Sequence, residues 1–256
     1  MTVGEAGLKV WFWAISFIKT QIRPENKYNI YMRQLLKVLG QTQVPYFISG
    51  ESPTLLIHAG THGDEYGVIE SVRKAVEKYE ARLPDFVYVP VVSPSAVATR
   101  TRTNMDGLDL NRSFFDQSRL AEVEVNLSIV GDYKFDLMVT FHEDTFWEST
   151  FYLYDINCGI GGGEGWKKFK AEIGVLGLNL LNGPDDPKDP TLNFSFVDGY
   201  YYFPKAAEGY RGGSFDAWAI RNGVIKGALV PEIPGKLAQE KKNKVVDLFF
   251  RRFLVK

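Results

Sequence analysis

The stretch TLLIHAGTHGDE, residues 54–65, reads as a buried strand running into a polar loop. Thr54 to Ala59 is apolar and follows a Ser-Pro turn, and Gly60 to Glu65 is rich in turn formers. Val68, Ile69, Val72, Ala75, Val76 and Tyr79 then recur at helical spacing, so a helix is expected from Tyr66 to Arg82. A second strand is expected at Phe86 to Val92, imperfect at Pro90. Strand, loop, helix, strand is the unit of a parallel sheet covered by helices.

The pattern continues outward. Ser93 to Ser113 reads as a polar loop and Leu120 to Gly131 as a helix. Further strands are expected at Phe135 to His142, Phe151 to Ile156 and Ile225 to Glu232. Helices are expected at Trp166 to Leu176, Ser214 to Asn222 and Lys236 to Leu254. Upstream, Gln34 to Leu39 reads as a helix ended by Gly40. Asn182 to Gly213 reads as a long irregular excursion. The expectation is one α/β domain over residues 1–256, with a mixed, mostly parallel central sheet and helices on both faces. Residues 1–30 are set apart as a candidate N-terminal extension.

The 256 residues are 45% hydrophobic and 24% charged, with a formal net charge of -1. That composition excludes disorder for the bulk of the chain. It offers no general electrostatic attraction for nucleic acid. The single cysteine, Cys158, excludes an intrachain disulfide and a cysteine-built metal site. No apolar run reaches the roughly 18 residues of a membrane helix, so no stable membrane insertion is expected. Val10 to Ile18, VWFWAISFI, is read as a docked helix or strand rather than a signal peptide. The cytoplasm is the expected location.

Histidine is scarce: His58, His62 and His142. His62 and Glu65 leave one strand end, and His142 ends another. Parallel strands bring their carboxyl ends to one sheet edge. Two imidazoles and a carboxylate are a ligand set for a catalytic zinc, with a fourth position left for water. The alternatives are a loop histidine near a glycine turn for His62 and a backbone-bonded one for His142. His58, within the strand, reads as a core or supporting histidine. The segment TRTNMDGLDLNRSF, residues 101–114, gathers Arg102, Asp109, Asn111 and Arg112, and arginine forks suit carboxylates and developing oxyanions. Its alternative is a solvated loop.

HGDE (62–65), DLNR (109–112), the strand-end His142, GGSFDAW (212–218) and ALVPEIPG (228–235) occur in this order. Together they resemble the zinc carboxypeptidase superfamily, which includes the succinylglutamate desuccinylase and aspartoacylase deacylases. The matching pieces run from about Leu55 to Gly235. The resemblance implies one zinc ion per chain, held by His62, Glu65 and His142. It implies Glu232 as general base and Arg102 as oxyanion stabiliser. Asn111 and Arg112 would hold a substrate carboxylate, Asp109 would orient a ligand histidine, and Ser214 and Phe215 would lie in the side-chain pocket. Tyr210 is the nearest match to the tyrosine that caps substrate, with imperfect spacing.

There are departures. Asp64 stands where some carboxypeptidase branches carry arginine, and apolar Phe215 argues against selectivity for a basic terminal residue. Glu143 and Asp144 are expected to pair with a nearby arginine, the alternative being a substrate amine or guanidinium. The run Cys158 to Gly165 fails both phosphate-loop patterns and is read as a mobile active-site flap. Lys241, Lys242, Lys244, Arg251 and Arg252 are read as the solvated face of the last helix.

The resemblance therefore implies a zinc-dependent hydrolase of peptide-like amide bonds next to a free carboxylate, of the metallocarboxypeptidase or murein-peptide amidase type. The substrate would be a small peptide or an acyl amino acid. An N-acyl amino acid deacylase is the alternative; such enzymes often carry a further C-terminal domain, and this chain runs about twenty residues past Glu232. A non-catalytic binding protein on the same scaffold is the remote reading, and the oligomeric state is left open.

Overall fold

The strand at the centre of TLLIHA is short and has no solvent-facing side. β3 (Leu55–His58) pairs in parallel with both β4 (Phe86–Val89) and β5 (Leu137–Thr140). All four of its residues are buried. Its side chains alternate between two cores. Leu55 and Ile57 join one with Phe86 and Tyr88, and Leu56 joins the other with Val87 and Val89. This is why the strand reads as a continuous apolar run rather than an alternating one. Truncating such a residue, Leu56 for example, costs about 2–5 kcal/mol.

The computed structural model describes residues 32–131, 133–186, 194–204 and 212–255. The Val10 to Ile18 reading lies outside them. Before β3 come β1 (Arg33–Leu39) and β2 (Thr42–Ile48). After β5 come β6 (His142–Asp144), β7 (Thr150–Ile156), β8 (Asn179–Leu180), β9 (Gly183–Pro184), β10 (Ser195–Phe196), β11 (Tyr200–Phe203) and β12 (Ala228–Pro234). Ten strands form one sheet in the order β1-β2-β4-β3-β5-β12-β7-β11, with β6 paired to β12 and β8 to β7.

The helices are α1 (Tyr66–Tyr79), α2 (Pro94–Thr99), α3 (Ala121–Val130), α4 (Glu164–Val175), α5 (Phe215–Arg221) and α6 (Gln239–Phe249), the last continued by a wider turn through Leu254. Residues of α1, α4 and α6 fill one core, and those of α3 and α5 fill the other. The described residues thus form a single α/β domain with a mixed, largely parallel sheet and helices on both faces.

Several expectations need correction. Gln34–Leu39 belongs to a strand, not a helix: β1 pairs antiparallel with β2 in full register. Gly40 has φ +58 and makes the hairpin turn. A glycine after apolar residues serves a hairpin as well as a helix end. The excursion after Asn182 contains β11, which extends the sheet in parallel beside β7. The loop at Cys158 is not an active-site flap. It follows the carboxyl end of β7, which runs antiparallel to β12, so it lies at the sheet edge opposite Glu232. Asp155, fully buried, accepts from the backbone N–H groups of Cys158, Gly159 and Ile160 and pins it.

Candidate metal centre

The loop after β3 is tied down residue by residue. Val92 N–H donates to the Ala59 carbonyl and Ser93 N–H to that of Gly60. Gly63 N–H donates to the Thr101 carbonyl at 2.8 Å. A Cβ on Gly63 would stand 1.8 Å from the Ala96 carbonyl oxygen, so only glycine fits the HGDE turn here. The loop holds His62 in place and ends at Glu65, immediately before α1. His142 arrives on β6, directly beside Glu232 of β12 in the parallel register.

These elements bring His62, Glu65 and His142 together. One ligand atom from each lies within 4.8 Å of the others, and all three residues are buried. Glu65 sits between the imidazoles. Its Oε1 is 2.5 Å from His62 Nδ1, and its Oε2 is 2.8 Å from His142 Nδ1. Each histidine offers its other nitrogen to an oxygen. His62 Nε2 lies 3.0 Å from Asp109 Oδ1, and His142 Nε2 is 3.5 Å from Thr140 Oγ1. The two Nδ1 atoms converge on Glu65, and the Asp109 carboxylate holds His62 at its second nitrogen, as metal-ligating histidines are commonly oriented. The donor set and its support fit a divalent metal ion.

The electrostatics agree. Burial works against charge on His62, but Glu65 and Asp109 outweigh it and raise the imidazole to about 9. Burial likewise opposes ionisation of Glu65 and Asp109, and their histidine neighbours overcome it and hold both carboxyls well below the usual range. A buried carboxylate between two imidazoles needs positive charge beside it, supplied by protons or by a cation. Glu232, half-buried, is pushed the other way. Burial, with the neighbouring carboxylates of Glu65 and Asp144, lifts it to about 8 against the pull of His142 and Arg102. A carboxyl near neutrality both takes and returns a proton readily.

Arg102 is half-exposed. Its guanidinium grips Asp109 Oδ2 at 3.0 and 3.1 Å and stands 3.9 Å from Glu65 Oε1. Asp109 Oδ1 also accepts the Asn111 N–H at 2.8 Å, so one carboxylate joins His62, Arg102 and the DLNR turn. Arg112 is exposed, with Nη1 on the Asn111 carbonyl. The turn is bolted to the GGS segment, since Phe114 N–H donates to the Gly213 carbonyl. A Cβ on Gly213 would lie 2.3 Å from the Arg112 carbonyl oxygen. Ser214 caps α5 through Ala217 N–H. Phe215 is buried, its ring edge-on to His58 at 4.5 Å and to Phe114 at 5.1 Å. His58 is therefore a core histidine, and burial lowers it to about 3. Tyr210 lies outside the described residues.

Two expectations about charges are corrected. Glu143 pairs with a lysine, not an arginine: Lys242 Nζ is 2.9 Å away and both side chains are buried. Asp144 accepts from Tyr152 Oη at 2.6 Å and from Phe146 N–H. Consequently Lys242 is not part of a solvated face, and Arg252 is paired with Glu172. Tyr152, missed from sequence, faces Glu232 across the antiparallel register. Its signal is a tyrosine near the amino end of a buried strand that runs antiparallel to β12, legible only once the pairing is known.

The sequence profile of the succinylglutamate desuccinylase/aspartoacylase catalytic domain matches residues 51–156. N-alpha-acetyl-L-2,4-diaminobutyric acid deacetylase from Halomonas elongata is 36% identical over 80 residues, which are 29% of this chain and 23% of that enzyme. The aligned stretch thus spans about a quarter of that relative. Among solved structures, a protein from Shewanella amazonensis described as a metallopeptidase superposes with TM-score 0.70 at 18% identity, over 97% of this chain and 92% of its own. A similarly described protein from Shewanella baltica gives 0.68 at 19%, over 87% and 85%. The chain thus shares the fold of these structures, and its residues 51–156 are similar to the succinylglutamate desuccinylase/aspartoacylase catalytic domain.

Proposed function

We propose that this protein is a zinc-dependent hydrolase that cleaves a peptide-like amide bond next to a free carboxylate, in the manner of a metallocarboxypeptidase or murein-peptide amidase. The observation that carries the reading is the buried His62–Glu65–His142 cluster with Glu232 in register beside His142. His62, Glu65 and His142 would hold the zinc, which when bound supplies a polarised carbonyl and an acidified water. Glu232 takes the proton of the attacking water and returns it to the leaving amine. Arg102, already turned to the cluster by Asp109, faces the oxyanion as its charge develops. Asn111 and Arg112 bind the free carboxylate, a bidentate task suited to a guanidinium. Ser214 and Phe215 shape the pocket beside them, and Tyr210 would be the tyrosine that caps substrate. With one cysteine and no intrachain disulfide to form, nothing requires an oxidising compartment, and the cytoplasm is the location proposed.

A deacylase of N-acyl amino acids uses the same groups, because its amide also adjoins a carboxylate-bearing carbon. The profile match over residues 51–156 and the diaminobutyrate deacetylase relative favour this second reading. A panel of free dipeptides, their C-terminal amides, murein-type peptides and N-acyl amino acids, tested with zinc-loaded protein, separates them. Cleavage only of peptides with a free carboxylate supports the first. Cleavage of N-acyl amino acids alone supports the second. No cleavage of any member rejects both.

A further inference from the structure

Glu143 follows a ligand histidine in the chain, yet its side chain points away from the cluster to the other core face. There its carboxylate lies against the first turn of α1, beside Gly67. α1 has no side-chain cap of its own: the residue before it is Glu65, whose carboxylate is occupied by the two histidines. Glu143 thus packs, from another element, against the start of the helix that follows Glu65. Lys242 of α6 neutralises it at 2.9 Å, with side-chain exposures of 7% and 3%. Gly67 leaves the space, since a Cβ there would meet Glu143 Oε1 and Lys242 Nζ at 2.6 Å each. The link then closes. The backbone N–H of Glu143 donates to Glu65 Oε2 at 3.1 Å, the same oxygen that faces His142. Gln239, one turn before Lys242, donates to the Gly67 carbonyl and keeps α6 against this helix start.

We propose that Glu143 and Lys242 are positioning residues for the metal centre, with Lys242 holding Glu143 against the start of α1 so that Glu65 and His142 stay at bonding distance from each other. The pair touches no reacting atom. It acts through the backbone of residue 143 and the start of α1. The inference rests on the reading of Glu65 and His142 as metal ligands.

The test measures zinc affinity by competition with a chromophoric chelator, together with melting curves of metal-free and zinc-loaded protein. Lys242→Met and Glu143→Ala are expected to weaken zinc binding about 10- to 100-fold, the range seen when supporting partners of ligands are removed. Lys242→Arg, which keeps the charge, is expected to stay within about 3-fold of wild type. A pair that merely supports the fold lowers both melting temperatures equally and leaves zinc affinity alone. A positioning pair shrinks the gap between the two curves, because that gap reports affinity. Should Glu143→Ala fail to fold, Glu143→Gln keeps the size of the side chain but removes the charge that Lys242 holds, and is expected to bind zinc more weakly than wild type. Zinc affinities within twofold of wild type in Lys242→Met and in the folded Glu143 variant overturn the proposal. If wild-type protein itself binds no zinc, the ligand assignment fails first, and the two failures are told apart.

Discussion

Glu232→Gln keeps the shape of the side chain and removes only its capacity to take a proton. Turnover is expected to fall by about 10²–10⁴-fold while zinc stoichiometry stays at wild type, measured by steady-state rates and metal analysis. His142→Ala is expected to lose the metal. Retained stoichiometric zinc in that variant would remove His142 from the ligand set. At this scale the cluster was legible, because His62, Glu65 and His142 all follow apolar runs that had to be strands, and strands of one sheet deliver their ends together. Glu143, Lys242 and Tyr152 were not legible as partners. Their meetings depend on which strand lies beside which and on how a terminal helix packs, and neither is written in local spacing.

Elements hold these residues in place, and two substitutions probe how. Gly63→Ala sets a methyl group against the Ala96 carbonyl, which is backbone and cannot swing aside. The loop must move, and zinc affinity is expected to drop more than about tenfold with the helical dichroism of the domain retained, as for loss of a ligand's support. Far from the site, Asp247 joins α6 to α1. Burial opposes its ionisation, but Lys78, Tyr79 and Arg251 outweigh it and hold the carboxyl below its usual range. A depressed carboxyl stabilises the fold above its unfolded pKa, about 3.9, and that contribution vanishes as pH falls through the folded value. Asp247→Asn is therefore expected to melt lower than wild type at pH 7, by an amount worth about 1 kcal/mol or less, and to match it near pH 2. Element type was readable where one period dominated, as in α1. It failed for β1, whose apolar residues Leu35, Leu36, Val38 and Leu39 stay exposed at the sheet's edge and leave no clear two-residue alternation. It failed again for the glycines after Cys158. Their freedom suggested motion, whereas Asp155 gathers the N–H groups of that loop into a fixed turn.

For the molecule as a whole, the His62–Glu65–His142 cluster joins the loop after β3, the start of α1 and β6, so a zinc ion held there would bind the folded chain and not the unfolded one. At a free concentration 100 times its dissociation constant, such a ligand adds about 2.7 kcal/mol to stability. Zinc is expected to raise the melting temperature and a chelator to reverse the rise, with a flat response to added zinc refuting the centre. The order of the sheet has a further consequence. β12 is the last strand in the chain yet lies between β5 and β7, with β6 also paired to it. During synthesis, the segments for β5, β6 and β7 leave the ribosome long before their common neighbour exists. Until Pro234 has emerged, two halves of the sheet face each other with open edges, and such edges invite chaperones or foreign strands. The nascent protein is thus assembled around a gap that only its final strand can close, and Glu232 reaches its place as that gap is filled.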